Sequence, residues 1–250
     1  MVFVIFFFSI ANATEIKSDA QAIGKAGMQR VLVLEMLKDF AMIGLGVTYS
    51  DPKSELEKTI QMFETYQKLL YDYTDGSEIR KSIAKTNALW EDVKKIIIQK
   101  PQKIHIEQLQ KKKYITALRE SANETVLLFV DKLGVKKGKK INLAGRLRAV
   151  SQKIAGAYML KAWGFKSPSL DKKIASAMKT FTQSYNELSN SQDNTPAEKE
   201  ILTRIKKLLI FFKIKTKSNA YFTPLLVSKY SDEQLDLATQ LTKLYAKDNN

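Results

Sequence analysis

The sequence predicts an all-α protein, arranged as two tandem four-helix up-down bundles packed as a pseudo-dimer. Three observations lead there. The chain of 250 residues has only five prolines and ten glycines and is rich in helix formers. Its turn signals divide it into eight helical segments, four per half. One helical phrase, I-x-x-A-G-x-x-R, stands at Ile23–Arg30 and again at Ile141–Arg148, an offset of 118 residues, and such a long period marks two copies of one structural unit.

Met1–Ala13 opens the chain with an apolar run, Val2–Ile10, and a small-residue cleavage pattern, Ala11-Asn12-Ala13. This predicts a secretory signal peptide ending near Ala13 and a periplasmic mature protein. The run is short of the roughly 20 apolar residues needed to cross a bilayer. No Lys or Arg precedes it, and the alternative for this stretch is a buried N-terminal strand.

Breaks then fall at Tyr49–Pro52, Thr74–Ser77, Lys100-Pro101 and Gly134–Gly138 in the first half. In the second half they fall at Lys166–Pro168, Ser189–Pro196 and Ser218–Pro224. Proline directly after Asp51, Ser167, Thr195 and Thr223 suits the first helical position behind a cap. Thr195-Pro196-Ala197-Glu198 has the form of a capping box. The second helix of each half carries a matching apolar stripe: Ile60, Phe63, Tyr66 and Leu70, then Ile174, Met178, Phe181 and Tyr185. Residues 14–134 are read as the first unit and 135–250 as the second, joined by the basic linker Val135–Lys140. Four antiparallel helices return the chain to the end where it began, so the two signature helices can lie side by side and parallel about a pseudo-twofold axis.

Each signature helix shows two packed stripes. The stripe Ala26, Gln29, Val33, Met36, Phe40, Ile43, Val47 and its twin Ala144, Leu147, Ser151, Ile154, Tyr158, Lys161, Phe165 should face each unit's own core. A second stripe, about 100° round the helix, runs Ile16, Ala20, Ile23, Gly27, Arg30, Leu34, Leu37, Ala41. Its twin runs Ile141, Gly145, Arg148, Gln152, Ala155, Met159, and the alternation of three and four is that of a helix–helix seam. Gly27 and Gly145 cost roughly 1 kcal/mol each in a helix interior relative to Ala, and they leave a low spot for close approach. Arg30 and Arg148 follow three residues later on the same face. Packed on this face, two guanidinium groups converge. They need carboxylates from elsewhere or a small anion to neutralise them, and the seam itself provides no acid. A planar oxyanion matches the guanidinium fork. The alternative is that the arginines snorkel to solvent or pair with acids on other helices. Of 35 lysines and six arginines, three arginines (Arg30, Arg146, Arg148) lie in the two phrases, so arginine is kept where geometry matters.

Ser18–Arg30 resembles the periplasmic signature of NarX-type nitrate/nitrite sensor kinases. Ile141–Lys153 is similar to the N-terminal sensor domain of PilJ-type chemotaxis transducers. The resemblance implies a helical bundle that senses small anions, with the signature arginines of two subunits holding one nitrate near the signature glycine. Carried over by motif, the ligand-binding residues are Arg30, Arg148, Gly27 and Gly145, with Arg146 beside them. One chain would then build what the kinases build by dimerising. The copies differ: Val33-Leu34 stand where Ser151-Gln152 stand in the second, and Met28 stands where Arg146 stands.

Other chemistry is thin. With no cysteine, disulfides, thiolate catalysis and Cys-ligated zinc are excluded. His105, the sole histidine, reads as surface or core. Asp72 and Asp75-Gly76 read as a turn, and Trp90 and Trp163 as core. The runs Lys111–Lys113 and Lys136–Lys140 read as solvated. No catalytic set, metal cluster or cofactor loop stands out, so no enzyme and no cofactor are expected. The net charge of +15 is spread over many helices; with export expected, nucleic acid is not an expected partner, and attraction to anionic surfaces or acidic partner proteins stays open. The expected function is an exported soluble sensor for a small oxyanion, nitrate or nitrite first, reporting to a membrane-bound sensor kinase or chemoreceptor. The alternative is a ligand-free helical module that docks on such a kinase, chemoreceptor or pilus component.

Overall fold

A computed structural model describes residues 15–74, 76–216 and 223–247; the expected signal peptide lies outside them. Among the described residues the protein is all-helical. The helices are α1 (Asp19–Leu45), α2 (Pro52–Tyr73), α3 (Ser77–Ile97), α4 (Lys103–Gln110), α5 (Ala117–Leu133), α6 (Val135–Ala162), α7 (Pro168–Ser189), α8 (Pro196–Lys215) and α9 (Pro224–Lys247), with a π-helical turn, Lys112–Thr116, between α4 and α5. No helix is long and apolar enough to cross a membrane among these residues.

The caps follow the sequence signals. Ser18 accepts from the Gln21 amide ahead of α1, and Gly46 closes the helix at φ 71°. Asp51, at φ 45°, caps α2 with Pro52 in the first turn. The Thr195–Glu198 box is complete: the Thr195 amide donates to Glu198 Oε2 at 2.7 Å, and the Glu198 amide to Thr195 Oγ1 at 3.3 Å.

One of the eight expected segments and the expected linker turn out differently. The fourth is broken. Ile106 and Leu109 are buried on α4, and Ile115 and Leu118 beyond it, but the positions that would continue one stripe between them fall in the exposed run Lys111–Lys113. The apolar phase slips, and the chain absorbs the slip in the π turn, with Tyr114 at φ −105°, ψ −108°. The linker expected at Val135–Lys140 is helical instead. Gly134 alone makes the reversal, at φ 97°. Gly138 then lets α6 pass close to α5: a Cβ there would stand 3.2 Å from the Val130 backbone.

The two signature helices, α1 and α6, pack on each other more extensively than any other pair. Around them, α2 and α5 flank α1, while α7 and α9 flank α6; α3 packs on α5, and α8 on α7 and α9. Contacts between α1 and α6 advance in step. Gly24 and Gly27 meet Arg148, Leu34 and Lys38 meet Gly156, and Gly44 meets Trp163. The helices are therefore parallel, and their register keeps the 118-residue offset of the repeat. The core-facing stripe of α1 is buried at Ala26, Val33, Met36 and Phe40, and Gln29 on it donates to Gln67 of α2, which in turn donates to the Ile83 carbonyl at 3.1 Å. Trp90 is buried beside Phe63. Trp163 is half-buried, its ring lying where a Gly44 side chain would be. His105 is also half-buried, with Nδ1 3.0 Å from the Lys100 carbonyl.

Candidate functional site

The second stripe of each signature helix meets the other at a pair of arginines. Arg30 and Arg148 are each 4% exposed. A Cβ at position 27 would stand 3.0 Å from Arg148 Nη2 and 3.5 Å from Arg30 Nη2. One at position 145 would stand 3.0 Å from Arg30 Nη2 and 3.3 Å from Arg148 Nη2. Each glycine thus makes room for the arginine of the opposite helix, and both guanidinium groups crowd the same gap. This is the reciprocal exchange that a pseudo-twofold axis produces.

Neutral groups alone hold the two cations. Arg30 Nη1 donates to Asn123 Oδ1 of α5 at 2.7 Å. Arg148 Nη2 donates to the Gly24 carbonyl at 3.2 Å, and its Nη1 lies 3.6 Å from the Met28 sulfur. Arg30 Nε and Nη2 and Arg148 Nε are buried without a hydrogen-bond partner. Neither guanidinium forms an ion pair with a carboxylate among the described residues. Burial, followed by the charges of Arg148, Arg146 and Arg119, lowers the Arg30 pKa to about 9. Burial lowers that of Arg148 to about 10, with Tyr66 acting in the opposite sense. Both values leave the pair charged at neutral pH. A buried charge without its partner is costly, and unmet guanidinium donors are geometrically apt for a planar oxyanion.

Four of the five residues expected at the site, Arg30, Arg148, Gly27 and Gly145, are brought together. Arg146 is exposed; two residues before Arg148, it lies nearly on the opposite side of α6. Its charge still bears on Arg30. Three participants, Asn123, the Gly24 carbonyl and the Met28 sulfur, were not foreseen. Asn123 sits on α5 between the buried pairs Ser121-Ala122 and Thr125-Val126, and its polar side chain at the margin of an apolar face was the available signal. The Gly24 carbonyl carries no sequence signal. Asn142, the positional twin of Gly24, is 6% exposed with Oδ1 unpartnered.

A second buried cluster, also unforeseen, lies further along α1. Lys38 Nζ is 2.7 Å from Asp232 of α9 and 3.6 Å from Asp39, and both Lys38 and Asp39 are buried. Burial depresses the Lys38 pKa, but Asp39, Asp232 and Glu35 outweigh it and hold the ammonium above its ordinary value. Burial raises the Glu35 carboxyl to about 7, against the pull of Lys38 and with the help of Asp232 and Glu55.

Comparison of the chain with family models, with curated proteins and with solved structures finds no match.

Proposed function

We propose that the chain is an exported sensor or binding protein made of two PilJ/NarX-like helical units, residues 14–134 and 135–250, each a four-helix bundle and the two packed as a pseudo-dimer. It recognises a small oxyanion, nitrate or nitrite first, between Arg30 and Arg148, and reports occupancy to a membrane-bound signalling partner. The observation that carries this reading is the pair of buried guanidinium groups, facing one gap, with unmet donors and no carboxylate. Asn123 and the Gly24 carbonyl orient the two forks. The vacant donors Arg30 Nη2 and Nε and Arg148 Nε are left for the anion. Because α1 and α6 each carry one arginine, an anion between them ties the two helices together, and this is a direct way for binding to alter how the halves sit.

A thermal-shift series over nitrate, nitrite, chloride, sulfate and acetate tests the reading. An anion held at about 100 times its dissociation constant adds about 2.7 kcal/mol of stability. One or more planar oxyanions should raise the melting temperature of the wild type and leave Arg30→Ala/Arg148→Ala unmoved. A shift with none of the anions, or one that persists in the double variant, refutes the site. In that case the ligand-free docking module remains.

A further inference from the structure

The corner where α8 ends and α9 begins differs from the rest of the surface in composition and exposure. From Ile201 through Ser231 the sequence holds Arg204 and six lysines (Lys206, Lys207, Lys213, Lys215, Lys217, Lys229) and no acidic residue. In the same stretch Ile210 is 51% exposed, Ile214 61%, Leu225 51% and Leu226 37%. On α8 the exposed residues Lys206, Lys207, Ile210, Lys213 and Ile214 follow helical spacing and form one outward stripe, while Leu208 and Phe212 face inward and are buried. The Phe211 and Tyr230 rings, 4.3 Å apart, hold the last turns of α8 against the first turns of α9, so the two exposed pairs belong to one corner. Lys206, Lys207, Lys213, Lys215 and Lys229 form no ion pair with a described carboxylate.

The first half has a looser counterpart. Ile98 and Ile104 are 63% and 59% exposed, but acids are interspersed there: Lys95 pairs with Asp92 and Lys94 with Glu64. Lys100 and Lys103 lie near Ile98 and Ile104 without a described ion pair, but the α8–α9 stretch has twice as many exposed branched apolar side chains and no acid among them. Apolar groups that enter the headgroup region, ringed by ammonium groups that meet lipid phosphates, are the makings of an interfacial contact. No described helix is long and apolar enough to cross a bilayer.

We propose that the α8–α9 corner docks on the anionic headgroup surface of a membrane, with Ile210, Ile214, Leu225 and Leu226 inserted and the surrounding lysines on phosphate. This does not depend on the anion site between α1 and α6. The test is flotation of the whole chain with phosphatidylcholine vesicles, with and without phosphatidylglycerol. Binding is expected only with phosphatidylglycerol and should weaken as salt rises. Replacing the four apolar residues by serine should lower it at least about tenfold, with the melting temperature unchanged because all four are exposed. Ile214→Glu, at the most exposed of them, is an independent second variant and should weaken binding as well. The proposal is overturned if vesicles containing phosphatidylglycerol do not bind the chain, or if binding survives both apolar variants and falls only when lysines are replaced by glutamine. An equal fall on changing Ile98 and Ile104 to serine, or preferential capture of this corner by an acidic polypeptide, also overturns it.

Discussion

Arg30 and Arg148 put two positive charges into the seam with no acid beside them; about two turns further along α1, Lys38 stands among Asp39, Asp232 and Glu35. The arginines, like Lys38 and Asp39, are buried, while Asp232 and Glu35 are partly exposed, and the two clusters are unbalanced in opposite directions. The difference lies in how each imbalance can be relieved. Excess carboxylate is relieved by a proton, and Glu35, raised to about 7, can take one up near neutral pH. Excess guanidinium has no such outlet, since pKa values of about 9 and about 10 keep both arginines charged. Only an added anion neutralises them. A buried charge is therefore not itself a sign of a site. The sign is a buried charge that neither a neighbour nor a proton can compensate.

Removing the cation from each cluster separates the two most sharply. Lys38→Met leaves Asp39 and Asp232 facing each other around an apolar side chain. Losing one partner of a buried pair costs about 3–5 kcal/mol, so the urea midpoint should fall strongly at neutral pH, and Asp39→Asn added to Lys38→Met should recover part of it. Arg30→Met removes a buried charge that has no counter-charge and repels Arg148. The ligand-free protein should be unchanged or up to about 2 kcal/mol more stable by the same measurement. If Arg30→Met costs as much as Lys38→Met, a carboxylate compensates Arg30 and the comparison fails.

The proton-relieved cluster should also appear in the pH dependence of stability. The folded pKa of Glu35, about 7, lies above its ordinary value of 4.5, so the folded state keeps a proton that the unfolded chain releases. The resulting stability is full below the ordinary value and is lost as pH rises through about 7. Between about pH 5 and about pH 8 the wild type should lose on the order of 1–3 kcal/mol relative to Glu35→Gln, read from urea titrations at each pH. Parallel curves for the two proteins would show that Glu35 titrates as an ordinary surface acid.

The arginine cluster was legible in the sequence and the lysine cluster was not, for a physical reason. A repeated phrase fixes a register: the offset of 118 residues sets the two second stripes side by side with Arg30 and Arg148 converging, and the structure adds that each glycine faces the arginine of the other helix. Nothing repeats at Lys38. Its positional twin is Gly156, whose missing side chain lets the α1 backbone come near, with Lys38 N 3.8 Å from where a Cβ would stand. Its partner Asp232 comes from a distant helix, so only tertiary packing brings them together. The same holds for Asn123, which reaches Arg30 across 93 residues of chain. Local signals sufficed for the caps at Asp51, Ser167 and Thr195, where the bonding partner is two or three residues away. They were insufficient at Lys111–Tyr114, where the slip in apolar phase shows only once the buried faces on both sides are known.

The subtlest comparison is between two glycines on one turn of α1. Gly24 has nothing within 4 Å of where a Cβ would stand, whereas Gly27 has the two guanidinium groups. Both are mid-helix, so Ala at either should gain about 0.5–1 kcal/mol from helix propensity. At position 24 that gain should appear in full, and anion binding should be unaffected, because the carbonyl that Arg148 uses is retained. At position 27 the added methyl presses on the tips of two flexible side chains, which can yield by a few tenths of an ångström. The stability change should stay within about 1 kcal/mol of zero, yet the gap proposed for the anion is narrowed, and the thermal shift with nitrate or nitrite should correspond to an affinity about tenfold weaker. Loss of the shift in Gly24→Ala as well would mean that the response follows helix stiffness. Its retention in Gly27→Ala would mean that the anion sits elsewhere. Only the split result ties the glycine of the repeated phrase to the arginine of its twin.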